Sequence, residues 1–292
     1  MAICFNPSAF AVMLAWLLGA GAASAADLNA RDFMTAPVGT SLGVFYLPIA
    51  RADDYHGPAD STGKADLSVN AFAYRQLWFS DICGTLCTPQ FIIPYIAIDA
   101  RLPGSDEHTH EHGLGDPQLG GTLFFINDPK HRTYSGLLTL LSVPVGEYHS
   151  QNADVSPGAN RWALHLNYNY TQGVGEKWML EANLEAQLYG ENDNYYGATL
   201  KQKPLYRLQA FASYDFTQST YGALRLVHAD GGELRLNNRA LDSTHQRYTQ
   251  VGFEVGHWLD SSNQVLMSLS HNISTDNGYE RGEALLRLVH VF

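Results

Sequence analysis

The period of the hydrophobic pattern constrains this chain more than any other feature. In Arg161–Thr171 the even positions are Trp162, Leu164, Leu166, Tyr168 and Tyr170, while the odd ones are Arg161, Ala163, His165, Asn167 and Asn169. In Lys177–Tyr189 the even face is Trp178, Leu180, Ala182, Leu184, Ala186 and Leu188, opposite Lys177, Glu181, Asn183, Glu185 and Gln187. A helix would scatter both sets around its circumference, whereas a strand sends successive side chains to opposite faces. The alternation runs almost continuously from Gly39 to the end. It predicts about twelve strands, near 39–50, 66–79, 89–101, 116–127, 133–145, 160–172, 176–190, 203–217, 219–230, 247–259, 264–274 and 281–292. Each has the ~9–11 residues that a tilted strand needs to cross a bilayer.

The connections between these strands sort by length. Asp128–Arg132, Gly173–Gly175, the turn around Gln218 and Asp260–Asn263 are short, and they alternate with Arg51–Ala65, Leu102–Gly115, Gly146–Ala159, Glu191–Gln202 and Gly231–Gln246. Outer-membrane barrels have tight periplasmic turns and longer extracellular loops. A soluble sandwich has no reason to sort its loops in this way. The expectation is an all-β, antiparallel transmembrane β-barrel over 39–292, with both termini on the short-turn side. Charged residues make up 16% of the chain against ~25% in a typical soluble domain, and 16 tyrosines are present. That composition suits a wall with lipid on one face and water on the other. A net charge of -11 with no basic run excludes a nucleic-acid partner, because phosphate binding needs a basic face.

The first 25 residues read as an export signal. Ala9 to Ala23 is almost wholly apolar or small, Ala23-Ser24-Ala25 forms a cleavage site, and the first charge, Asp27, follows. The leading segment lacks Lys and Arg, a departure from the usual pattern. The expected organisation is a cleaved signal peptide over 1–25, a periplasmic segment over 26–38, and the barrel. Of the cysteines, Cys83 and Cys87 fall in the connection Ser80–Thr88. Two thiols that close in an oxidising compartment are expected as a small disulfide loop. A redox pair would use C-x-x-C, and a metal site would need two further ligands.

Aromatic side chains gather at the strand ends. Trp162 opens one strand at the long-loop end, and Tyr168, Tyr170, Trp178, Tyr214, Phe216, Tyr221 and Trp258 lie toward the short turns. Such positions form the girdles of a membrane barrel. The chain ends on Phe292 after Leu286, Leu288 and His290 at alternate positions, which is similar to the C-terminal signature by which outer-membrane barrels engage the barrel-assembly machinery.

Three short stretches carry a family resemblance. Gly113-Leu114-Gly115-Asp116-Pro117 resembles a glycine–aspartate motif before a strand, Ser142-Val143-Pro144-Val145-Gly146-Glu147-Tyr148 resembles a Ser-Leu-Pro-Thr-Gly segment with Val145 in place of Thr, and Gly158-Ala159-Asn160-Arg161-Trp162 opens the next strand. These are features of the putative MetA-pathway phenol degradation proteins, a family of transporter-like outer-membrane barrels. The resemblance implies an outer-membrane location and passage of aromatic or apolar compounds. It supplies no catalytic residues and no cofactor.

Parity assigns Arg161, Glu181, Glu185, Arg207, Arg225, Glu254 and Arg287 to the face opposite the apolar set. A charge facing lipid near the midplane would cost ~2–4 kcal/mol, so these residues are expected inside. Acids on the seventh and tenth strands are then available to arginines on the eighth, ninth and twelfth. The arrangement reads either as a selective polar constriction for a small solute or as an ion-paired plug. The run Asp106–His112 holds His108, His110 and His112, imidazoles suited to Zn²⁺ or Cu²⁺, but nothing fixes their geometry and a solvated loop is the better reading. A lipid hydrolase is the alternative enzyme class, with His271 and Ser274 as its pair; a spacing of three puts them on opposite faces of a continuing strand. A non-conducting structural or adhesive barrel is the other alternative.

Overall fold

The structure is a computed structural model that describes residues 27–57, 62–82, 84–101 and 107–292. The signal peptide and Cys83 fall outside the described residues. Twelve long strands form the wall: β1 Ser41–His56, β2 Gly63–Trp78, β3 Thr85–Arg101, β4 Gln118–Asp128, β5 Thr133–Ser142, β6 Ala163–Val174, β7 Trp178–Tyr189, β8 Leu205–Asp215, β9 Thr220–Gly231, β10 Gln246–Trp258, β11 Asn263–Asp276 and β12 Gly282–Val291. Each pairs antiparallel with its neighbours in sequence. β12 returns to pair with β1, from Leu42 opposite Val291 to Arg51 opposite Gly282. The sheet is therefore closed, and no strand is left with an unpaired edge in the membrane.

The outward set is the apolar one. Leu180, Leu184, Leu208, Leu224, Phe253, Met267 and Leu269 are all exposed on the barrel's outer surface. Trp178 and Tyr214 meet edge-on at 4.9 Å between centroids, and Phe216 joins them at 5.5 Å from Tyr214. Two members of the expected girdle differ. Tyr221 is buried inside the barrel and Trp258 lines an internal chamber. A side chain at Gly256, on the neighbouring strand, would collide with the Tyr221 ring, so the inward position of Tyr221 depends on that glycine.

The long-loop end differs from a set of solvated loops. His108–Leu114 is a strand added to β3, with His108 opposite Arg101 and His112 opposite Ala97. β3 thus changes partner along its length, pairing with β4 over Cys87–Ile92 and with His108–Leu114 over Tyr95–Arg101. The connections 190–204 and 232–245 build a separate small sheet from Asn192–Tyr195, Ala198–Gln202, Leu234–Leu236 and Arg239–Ala240. Its Tyr195, Leu200 and Leu234 pack with Ala153 and Val155 of the 143–162 connection onto inward residues of β1 to β3, including Leu67, Val69 and Ile98. The loops therefore fold inward as an apolar cap.

The three stretches that carry the family resemblance meet at one carboxylate. Asp116 accepts from the backbone N–H of Gly146 at 2.9 Å and of Ala159 at 2.8 Å. Side chains at Gly146 and Gly158 would run into the backbone of this junction. That close approach is the physical reason for glycine at both positions. Burial pushes the Asp116 carboxyl upward, while the two backbone bonds pull it back.

Candidate functional site

The barrel interior has two unlike walls. On β1 to β3 the inward residues are mostly aliphatic or small: Val44, Ala50 and Ala52, then Leu67, Val69 and Ala73, then Ile92, Ile96 and Ile98. On β6 to β8 they are mostly polar: His165, Asn167, Asn169 and Thr171, then Glu181, Asn183, Glu185 and Gln187, then Arg207, Gln209 and Ser213. The polar wall is internally bonded. Asn169 donates to Asn183 at 2.8 Å, and Gln209 and Gln187 donate to the two oxygens of Glu185 at 2.9 and 2.7 Å.

All seven charged residues assigned inward by parity are buried, none more than 6% exposed. Arg207 sits opposite Glu185 in the register and donates to it at 3.2 Å. The other carboxylates do not pair directly with arginines across the lumen, as strand parity alone would suggest. They bind the N-terminal segment. Glu254 accepts from Asn29 Nδ2 and from the Ala30 backbone N–H, both at 2.9 Å. Glu181 accepts from the Arg31 backbone N–H at 2.8 Å. Asp27 bridges Arg207 at 2.6 Å and Arg225 at 3.0 Å. Asp32 takes Arg287 at 2.5 Å.

Residues 27–33, expected as a periplasmic extension, therefore lie inside the barrel and join six of the seven charges into one network. Leu28, Ala30 and Phe33 are buried, and Phe33 meets Phe124 edge-on at 6.3 Å. The Arg31 guanidinium lies 4.0 Å over the Tyr221 ring and donates to Asp215 at 2.6 Å. Parity describes only strands, so it could not reveal this segment. The one signal available was its charge order, Asp27, Arg31 and Asp32, which complements the inward charges. Arg161 stands apart, 4.5 Å over the Tyr189 ring and bonded to Gln202.

Two spaces adjoin the segment. A small one of about 30 Å³ lies beside Asp27 and Arg225, against Ser268, Ser270 and Glu283. That is room for about one water. The larger, about 280 Å³, lies at the short-turn end beneath Ala30–Ala36. Its lining is dominated by Met34, Leu42, Val44, Leu77, Phe79, Phe124, Val289 and Val291, with Arg75 and Arg287 among the few charges.

The remaining candidates lie outside the lumen. Cys87 is buried with its sulfur 3.5 Å from the Ser80 carbonyl, and its expected disulfide partner Cys83 lies outside the described residues. His108 Nδ1 is 2.9 Å and His110 Nδ1 3.8 Å from Asp99. His112 faces His110 at 5.6 Å, and no three metal-ligating side chains converge among the described residues. His271 stands 3.3 Å from Glu280, whereas Ser274 lies opposite Thr249.

Comparison with known proteins agrees with this architecture. Residues 50–288 match the family model described as putative MetA-pathway of phenol degradation. The crystal structure of an outer membrane channel from Pseudomonas putida F1 superposes with a TM-score of 0.84 at 25% identity, covering 91% of this chain and 100% of that one. The transport unit of the autotransporter AIDA-I from Escherichia coli superposes with a TM-score of 0.59 at 10% identity, over 98% of both chains, a likeness of fold alone. No curated protein matches in sequence.

Proposed function

Since the chain belongs to the family described as putative MetA-pathway of phenol degradation, we propose that this outer-membrane barrel is a channel for small apolar solutes, aromatic compounds among them. The observation that carries the reading is the two-walled interior. On β1 to β3 the inward aliphatic residues form one cluster under the loop cap and a second around the 280 Å³ chamber, inside a closed barrel. A pore for hydrophilic solutes has little use for so much apolar surface on one wall. A channel for apolar ones needs it, because each patch of apolar surface withdrawn from water is worth ~25 cal/mol per Å².

On this reading the seven buried charges and residues 27–33 act as a selectivity element that keeps the water path narrow. Asp27, Glu185 and Arg207 form its centre. The reading contains no chemical step, and His271 and Ser274 have no part in it. Phe292, 71% exposed with its N–H bonded to Ser41, supports the role of the chain end as the assembly signal. Cleavage after Ala25 would leave the mature chain starting one residue before Asp27.

The test is uptake of a labelled aromatic hydrocarbon by porin-deficient Gram-negative cells, with and without this protein in their outer membrane. Faster initial uptake with the protein is expected. Equal rates at matched expression would overturn the proposal.

A further inference from the structure

The 280 Å³ chamber at the short-turn end contains a charge imbalance. Four charged side chains line it: Arg31, Asp32, Arg75 and Arg287. Arg287 is neutralised by Asp32 at 2.5 Å, and Arg31 by Asp215 at 2.6 Å. Arg75 has no carboxylate partner among the described residues. Its Nε donates to the Gln90 amide oxygen at 2.5 Å and its Nη1 to the Tyr46 hydroxyl at 3.4 Å, both neutral acceptors. It is 8% exposed, on the apolar wall, with Val44 and Ile92 opposite it in the register.

A buried guanidinium without a counter-charge is costly, and buried charges are ordinarily paired. Here the cation sits in a preformed apolar space near the lower end of the ~300–1,000 Å³ range of ligand pockets, where a few polar groups fix a ligand's orientation. The planar guanidinium edge matches a planar carboxylate, which it binds through two parallel hydrogen bonds. We propose that Arg75 is an anion-binding station in this chamber, and that the cargo is an apolar compound carrying a carboxylate.

This rests on the channel reading and narrows it. The carboxylate would take the free edge of Arg75, and the apolar body would lie along Leu77, Phe79 and Phe124, beneath the segment that carries Met34.

Trp258 lines the same chamber and gives the readout. Binding is followed by its fluorescence in nanodisc-embedded protein, with 4-phenylbutyrate and its neutral counterpart 4-phenylbutan-1-ol as probes. The acid is expected to bind about ten- to a hundredfold more tightly than the alcohol, the range of one hydrogen-bonded buried charge. Arg75→Gln should remove that preference, and Arg75→Lys should keep part of it. The acid–alcohol comparison in the unaltered protein needs no variant to fold. Equal binding of the two probes, or a preference that survives Arg75→Gln, overturns the station. Uptake of both probes by cells separates the two readings: Arg75-dependent binding without uptake sinks the channel and keeps the station, whereas uptake without charge preference does the reverse.

Discussion

The carboxylate of Asp27 lies 2.6 Å from the Arg207 guanidinium, across 180 residues of sequence. That contact, shared with Arg225 at 3.0 Å, fixes the first described residue of the chain to the inner face of the barrel wall. The arginines also explain why an acid belongs there: without it, Arg207 would keep only Glu185, and Arg225 would lose its one ion pair among the described residues.

Asp27→Ala should therefore release the N-terminal segment. Removing one partner of a buried ion pair costs about 3–5 kcal/mol, a large share of what holds the segment beside its bonds to Glu254, Glu181, Asp215 and Arg287. Single-channel conductance in planar bilayers should rise severalfold and shift toward anions. Unchanged conductance would mean that the remaining contacts, Asn29 to Glu254 and Asp32 to Arg287, hold the segment alone.

Gly256→Ala tests the packing beneath Arg31. The added methyl group meets the Tyr221 ring, and overpacking of this kind costs about 1–3 kcal/mol. Urea unfolding of the barrel in lipid should show that loss, and Tyr221→Ala in the same chain should recover part of it. A neutral Gly256→Ala would show that Tyr221 can leave its inward position freely.

Which parts of this were legible in the sequence follows from what alternation can report. On β6 to β8 one face is apolar and the other polar, so parity placed Leu184 outside and Glu185 inside, as the structure has them. On β1 both faces are apolar, with Phe45, Leu47 and Ile49 outside and Val44 and Ala50 inside, and alternation alone carries little contrast there. The greasy wall was invisible for that reason. Tyr221 was misplaced because an aromatic ring near a strand end suits a girdle and a lumen equally. The strand His108–Leu114 has a loop-like sequence because its two faces are both largely polar, and only its pairing with β3 makes it part of the wall.

Leu184→Arg measures the lipid exposure on which the topology depends. Leu184 is 60% exposed on the outer face. An arginine there should cost about 2–4 kcal/mol if the position is near the bilayer midplane. Reversible unfolding from vesicles reads the difference directly. A cost near zero would place that face in water.

The loop cap should open as pH rises. Burial pushes the Asp154 carboxyl well above its ordinary value of 3.8, against the downward pull of the Tyr196 hydroxyl bond. The closed cap thus holds a proton that an opened loop releases. Closure is fully favoured below the ordinary carboxylate range and weakens as pH climbs through the raised value. Hydrogen exchange over 150–157, corrected for intrinsic rates, should be faster at mildly alkaline than at mildly acidic pH, and Asp154→Asn should flatten the dependence. A flat profile in the unaltered protein would exclude this group as the cause.

The partners of residues 27–32 also dictate an order of events. Arg31 reaches a residue 150 positions later, Ala30 one 224 later and Asn29 one 258 later, on β7, β10 and β12. Those three strands surround a single segment only once the sheet has come full circle. Residues 27–32 therefore gain their full set of partners only when β12 has closed against β1.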